Sequence, residues 1–157
     1  VIGGIGLPVF LRSKPYCERC SVYRKSVVLG YIPASRDEKA HKKLAKNDPA
    51  AAAAAPTNEQ LAEQAQTQLT DLVRAAEAGT VAEFVAQVES IKTHTARSTA
   101  ALEQRLAVHL HGCPRCLDGL LQADIQMGRG DKLKVTPLGT WGLVPEKVEA
   151  VTKLRRA

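Results

Sequence analysis

The sequence predicts an α+β fold, in which a small antiparallel sheet carries a long inserted helical hairpin and a short C-terminal helix. Two segments within residues 57–95 predict the hairpin, because their apolar residues recur at the spacing of one helix face. Alternating apolar and polar residues after Ser98 predict strands, because successive side chains of a strand point to opposite faces. Hydrophobic residues make up 45% of the chain and aromatic residues only 4%, so we expect a core of Leu, Val, Ile and Ala.

The first segment, residues 1–11, contains no charged side chain, and Arg12 and Lys14 follow it directly. An apolar run with a basic flank is typical of the cytoplasmic end of a membrane helix, although this run is shorter than the about 20 residues that span a bilayer. A buried N-terminal strand or tail is the other interpretation, and both stay open. The first interpretation predicts a cytoplasmic domain at the face of a membrane.

The segment that precedes the predicted hairpin is charged and rich in alanine. Residues 34–48 are charged and compatible with a helix, and they lead into an alanine run between Pro49 and Pro56. A low-complexity run of this kind is typical of a connection without its own core. We therefore interpret residues 34–56 as a linker or mobile loop.

Each helix of the predicted hairpin has its own start signal. Thr57 with Gln60, and Thr80 with Glu83, have the spacing of a capping box, in which each side chain bonds the backbone amide of the other residue. Gly79 ends the first helix. A tight turn therefore joins the two helices in an antiparallel hairpin.

The last segment, residues 96–157, predicts the sheet and the final helix. Residues 102–110 alternate as in a half-buried strand, and a second alternating run ends at Met127. Residues 128–131 supply a turn before a third strand, so the sheet is expected to have three antiparallel strands. Pro145 predicts the start of a short C-terminal helix.

All four cysteines fall into two Cys-x-x-Cys pairs, Cys17 with Cys20 and Cys113 with Cys116. A pair in a tight turn points two thiolates toward one centre, and two pairs complete the tetrahedral sulfur set that zinc prefers. We therefore predict one structural zinc site, with iron as a minor variant. Disulfides and a thioredoxin-like redox pair are the alternatives left open, whereas haem attachment is excluded because no histidine follows either pair.

Through these four cysteines and the strands around the second pair, the chain resembles the zinc-ribbon group of folds. The resemblance implies that residues 12–33 form the first zinc knuckle and that residues 96–157 contain the second one. The chain departs from the usual pattern, because residues 21–112 separate the pairs where compact sites have about 15 to 20 residues. An inserted hairpin accounts for this spacing, since each doubling of a loop costs only about 0.6 kcal/mol.

A zinc site with four cysteine ligands is closed to substrate, so we expect no enzyme. The predicted function is a structural zinc-binding module that interacts with another protein. If residues 1–11 attach it to a bilayer, this module is the cytosolic part of a membrane-anchored protein. His109 and His111 precede the second pair, and we interpret them as the outward face of a strand and not as ligands.

Nucleic-acid binding is the alternative function, because the net charge is +6 and zinc ribbons often present basic strands to phosphates. Five basic residues are expected to cluster around the second pair: Arg105, Arg115, Arg129, Lys132 and Lys134. Those strands lack aromatic residues that could stack on bases, which argues against this function. A thiol redox sensor that releases zinc on oxidation is the second alternative.

Overall fold

The computed structural model describes residues 15–156 and shows an α+β fold, as predicted. The described part of the chain contains five helices, a short 3₁₀ helix and two antiparallel sheets. The elements in chain order are β1 (Tyr16–Cys17), β2 (Val22–Tyr23), β3 (Lys25–Pro33), α1 (Glu38–Asn47), α2 (Pro49–Ala54), α3 (Asn58–Glu77), α4 (Val81–Lys92), β4 (Gln104–Gly112), β5 (Gly119–Met127), the 3₁₀ helix (Gly130–Lys132), β6 (Lys134–Leu143) and α5 (Pro145–Arg156).

The two interpretations of residues 1–11 concern a part of the chain outside the described residues. From residue 15 to residue 156, no helix combines the length and the apolar character that crossing a membrane requires.

The main sheet has four strands in the order β3-β4-β5-β6, all antiparallel. The expectation of three strands is therefore wrong by one, and the additional strand is β3, which precedes the helical insertion. The register shifts between Val28 and Gly30, so the strand does not alternate cleanly in sequence. At Gly30 the backbone of α4 approaches so closely that any Cβ would overlap the carbonyl oxygen of Ile91.

The predicted helical hairpin is confirmed as α3 and α4, and both predicted capping boxes are present. The Thr57 hydroxyl accepts from the amide of Gln60, and the Thr80 hydroxyl accepts from the amide of Glu83. In return, the side chain of Gln60 accepts from the amide of Thr57, and that of Glu83 accepts from the amide of Thr80. Both helices lie against one face of the main sheet. In sequence the hairpin lies between β3 and β4, so it connects the first strand of the main sheet to the other three and covers the same sheet.

The interpretation of residues 34–56 as a mobile loop is wrong, because the segment forms α1 and α2. Asp37 caps α1, and Asp48 caps α2, which has Pro49 in its first turn. Alanine has the highest intrinsic helix propensity, so the alanine run favours a helix even without a core. Ala52 is the only buried residue of the two helices, which makes this segment an exposed helical connection.

The hydrophobic core fills the space between the main sheet and α3, α4 and α5. The three helices and the two central strands each bury at least one side chain completely: Leu72, Phe84, Val108, Leu121 and Val151. The predicted C-terminal helix is confirmed as α5 and crosses one end of the sheet. There, a Cβ at Gly112 would lie 3.2 Å from Cγ1 of Val148, so the helix sits directly on the strand ends that lead to the second cysteine pair.

Candidate metal centre

The first cysteine pair lies on a short hairpin, residues 16–23, which we call the cysteine hairpin. β1 and β2 pair through Tyr16 with Tyr23 and Cys17 with Val22. Ser21 has a positive φ of 54°, which lets the chain reverse tightly after Cys20. The reversal turns the Cys17 and Cys20 thiols toward the same side.

The second pair lies in the turn between β4 and β5, residues 113–118, which we call the cysteine turn. The amide of Cys113 donates to the carbonyl of Asp118 at 2.8 Å, and the amide of Leu117 donates to the carbonyl of Cys113 at 3.1 Å. Leu117 also has a positive φ, of 58°. A cysteine pair in a turn between two strands is thus confirmed, and the paired strands fix its orientation.

The two pairs meet, although nearly the whole fold separates them in sequence. The four Sγ atoms all lie within 4.8 Å of one another. The Sγ atoms of Cys17 and Cys116 are 3.7 Å apart, which is well beyond a disulfide bond of about 2.05 Å. Four sulfurs around one ion at about 2.3 Å would be separated by about 3.8 Å, so the cluster has the size of a tetrahedral metal site.

Burial and charge explain why this cluster favours a cation. Cys17 and Cys113 are 2% and 1% exposed, and Cys20 and Cys116 are half-buried. A hydrogen bond with the Cys116 thiol and burial raise the pKa of Cys20 to about 12. Burial opposes ionisation of Cys113, but the backbone N–H groups of Cys116 and Arg115 outweigh it and lower its pKa to about 6. Cys113 is therefore the thiol that ionises most readily, and a metal ion bound by all four sulfurs would displace the remaining thiol protons.

Polar contacts also join the cysteine hairpin to the cysteine turn. Arg24 donates through Nη2 to Oδ2 of Asp118 at 2.7 Å and through Nη1 to the carbonyl of Tyr16 at 2.9 Å. Arg115 reaches the carbonyl of Cys20 at 3.4 Å. Asp118 is half exposed, so its ion pair with Arg24 contributes little, of the order of 1 kcal/mol or less. These contacts hold the cysteine hairpin beside the cysteine turn.

His109 and His111 lie on the sheet face opposite the helices and engage neighbouring side chains instead of the cysteines. His111 Nε2 is 2.8 Å from Oε1 of Gln122, and its Nδ1 is 2.6 Å from the hydroxyl of Ser26. His109 Nε2 lies 3.1 Å from Oδ2 of Asp124. Burial lowers the pKa of His111, so the neutral imidazole donates to the Gln122 carbonyl oxygen and accepts from Ser26.

This polar row on the sheet was missed by the sequence interpretation. Gln122 completes it by donating to Oδ1 of Asp124 at 2.9 Å. Ser26 and His111 come together only through the β3–β4 register, and the alternation in β4 was the one signal that placed both histidines on a single face. The row orders the outer face of the sheet around its two central strands.

The five basic residues proposed for nucleic acid do not cluster around the second pair, so that expectation is wrong. Arg115 lies in the cysteine turn, whereas Arg105 lies at the opposite end of β4. Arg105 stacks over the Tyr31 ring at 4.4 Å and bonds Gln126, and Arg129 pairs with Glu103 at 2.8 Å. The remaining two, Lys132 and Lys134, are exposed and follow the β5–β6 turn, also at that far end.

The described residues thus build one four-cysteine cluster of the dimensions of a metal site, with a zinc-ribbon-like arrangement of its two pairs. Comparisons with protein-family models, with curated proteins and with solved structures find no match to this chain.

Proposed function

We propose that the protein is a non-catalytic module in which zinc, bound by Cys17, Cys20, Cys113 and Cys116, fastens the cysteine hairpin to the sheet. The observation that carries the proposal is the convergence of all four sulfurs within 4.8 Å. When bound, the zinc supplies charge neutralisation and a tetrahedral cross-link. Four protein ligands leave no open position on the ion for a substrate, which supports a structural role.

Metal analysis of the full chain, purified under reducing conditions, tests this proposal. We expect one zinc ion per chain, and we expect Cys20→Ser to lose most of it because three thiolates remain. His109→Gln is the matched control, because His109 contacts Asp124 and no cysteine, and it should keep one zinc ion. A purified chain without metal, or with tightly bound iron in place of zinc, would contradict the proposal.

We further propose that the module binds another protein through β6, an edge strand of the main sheet. Large apolar side chains are exposed on β6 and beside it, including Val135 at 50%, Met127 at 49% and Leu138 at 44%. Such side chains near an unpaired strand edge are typical of interaction surfaces. Nucleic-acid binding has weaker support, because Arg105 and Arg129 already make internal contacts.

A photo-crosslinking amino acid at position 138 tests the edge-strand surface in cells. We expect a discrete protein adduct from position 138 and none from position 63, an exposed position on the helical hairpin. Equal labelling from both positions, or a nucleic-acid adduct, would contradict this assignment.

A further inference from the structure

A cavity of about 460 Å³ opens between α5, the adjacent ends of β3 and β4, and the cysteine turn. Apolar side chains form most of its wall: Val27, Leu110, Pro114, Leu117 and Val148. This volume lies within the range of small-ligand sites, which combine an apolar wall with a few charged groups. The cavity therefore has room for part of an apolar molecule beside the metal centre.

Three cations surround the mouth of this cavity, namely Lys25, Arg155 and Arg156. All three are exposed, and within the described residues none of them forms an ion pair. No carboxylate is among the residues that line the cavity. The mouth is therefore complementary to an anion, and the wall behind it is complementary to a hydrocarbon group.

Two exposed aromatic side chains lie on the cysteine hairpin, which directly precedes β3 in the chain. Tyr16 and Tyr23 are 42% and 41% exposed, and their ring centroids are 5.1 Å apart. Tyr23 lies two residues before Lys25. Tyrosine combines an apolar ring with a polar hydroxyl, which is the chemistry enriched where a membrane meets water.

We propose that this end of the molecule docks on an anionic bilayer and holds an anionic phospholipid. The lipid phosphate would lie among Lys25, Arg155 and Arg156, and the carbons next to it would enter the cavity. This interaction goes beyond the proposed function, since neither zinc nor a protein partner requires it. If the zinc-loaded protein does not bind lipid, this proposal is wrong, whereas the proposed zinc module is unaffected.

Two observations favour a lipid over other anions. The cavity wall is apolar, whereas a nucleic-acid backbone or a free phosphate offers no hydrocarbon group to fill it. The chain also enters the described fold at this end, where the carbonyl of Pro15 accepts from the amide of Arg24 at 2.9 Å. The uncharged sequence of residues 1–11 precedes that point, which favours a bilayer over an acidic peptide as the occupant.

Vesicle sedimentation with the zinc-loaded full chain tests the proposal. We expect tighter binding to mixed phosphatidylcholine–phosphatidylglycerol vesicles than to phosphatidylcholine alone, and we expect added salt to weaken it. The variant Lys25→Gln/Arg155→Gln/Arg156→Gln should lose roughly a hundredfold in binding, given about a fivefold contribution from each cation near the surface. Vesicles of phosphatidylcholine alone measure the contribution of residues 1–11, which every variant retains.

The matched control removes three cations from α1, as Lys39→Gln/Lys42→Gln/Lys43→Gln. These lysines are exposed and do not line the cavity, so we expect a change of no more than a few-fold. Zinc content and circular dichroism confirm that both triple variants fold. Equal losses in the two variants, or no preference for anionic vesicles, would overturn the proposal.

Methyl NMR separates the lipid from a simple charge effect. Soluble dihexanoyl phosphatidylglycerol should shift the methyl signals of Val27, Leu110 and Val148, and glycerol 3-phosphate should not. Equal shifts with glycerol 3-phosphate would show that the cavity takes no acyl carbons. Tighter binding of an acidic apolar peptide than of the lipid would show that the occupant is a peptide. Either result overturns the proposal.

Discussion

The cysteine hairpin and the body of the fold are ordered by different forces. In residues 15–24, which contain the hairpin, Cys17 is the only buried residue, and each strand has two residues. The body has a continuous core that joins the four-stranded sheet to α3, α4 and α5, and no cysteine belongs to that core. A segment with almost no apolar burial cannot offset its own conformational entropy, whereas the body can.

This difference predicts that a bound metal stabilises the cysteine hairpin and not the core. The hairpin joins the body through the cysteine cluster and a few polar contacts, and the strongest of those contacts is the ion pair between Arg24 and Asp118. Metal binding supplies on the order of 10 kcal/mol or more, far above the value of such a pair. If the proposed metal binds, it would order the hairpin, whereas hydrophobic burial orders the rest.

Zinc removal is expected to have the largest effect, and to act on the cysteine hairpin alone. After chelation of the full chain, we expect the amides of residues 16–23 to exchange like those of an unfolded peptide, because the lost metal energy exceeds every remaining contact there. The amides of α3 and α4 should keep their protection, since their contacts are with the core. Hydrogen exchange with mass spectrometry measures both, and Cys20→Ser without chelator should match. Loss of protection throughout the domain would show that the metal supports the core as well.

Local signals in the sequence were sufficient for part of the fold. Thr80 and Glu83 marked the start of α4 because a capping box involves residues only three positions apart. Alternation in residues 102–110 marked β4 because one of its faces packs on the core. The metal site followed from the cysteine spacing, since each Cys-x-x-Cys turn is itself local.

Features that depend on long-range packing were missed. β3 has its alternation interrupted by the register shift before Gly30, and that glycine is required by α4, which follows it by some sixty residues in sequence. The basic residues were expected around the second cysteine pair, but the β4–β5 and β5–β6 registers carry Arg129 and Lys134 to the other end of the sheet. α2 was missed because its alanine run was interpreted as low complexity, although alanine favours helix. The sequence of α1 was recognised as compatible with a helix, but it was assigned to the same linker.

Replacing Lys147, which is buried in the body of the fold, is expected to have the next largest effect, on the free energy of unfolding. It is 5% exposed, and its Nζ donates to the carbonyls of Ala75 and Ala76 at 3.0 and 2.7 Å, at the C-terminal end of α3. Lys147→Met leaves these buried acceptors without a donor, so we expect a loss of about 1–3 kcal/mol in the free energy of unfolding. Urea denaturation measures it.

The control for Lys147 lies on the same helix. Lys153 is exposed and pairs with Glu149 one turn away, so Lys153→Met should change the free energy of unfolding by no more than about 0.5 kcal/mol. Zinc content should stay unchanged in both variants, because neither lysine contacts the cysteine cluster. If Lys153→Met cost as much as Lys147→Met, the buried donor would have no special value.

The smallest expected effect compares the two capping boxes of the helical hairpin. The fourth residue of α4, Phe84, is fully buried behind the Thr80 cap, whereas the fourth residue of α3, Leu61, is only half-buried behind the Thr57 cap. Losing a cap costs about 1 kcal/mol when the helix end cannot fray without exposing the core.

We therefore expect Thr80→Ala to lower the free energy of unfolding by about 1 kcal/mol. Thr57→Ala should lower it by only a few tenths, because the first turn of α3 can fray into solvent while the core stays closed. Urea denaturation of the two variants measures the difference. Equal costs would mean that the first turn of α3 unfolds only with the whole domain, and the boundary of the cooperative core would then extend to residue 58.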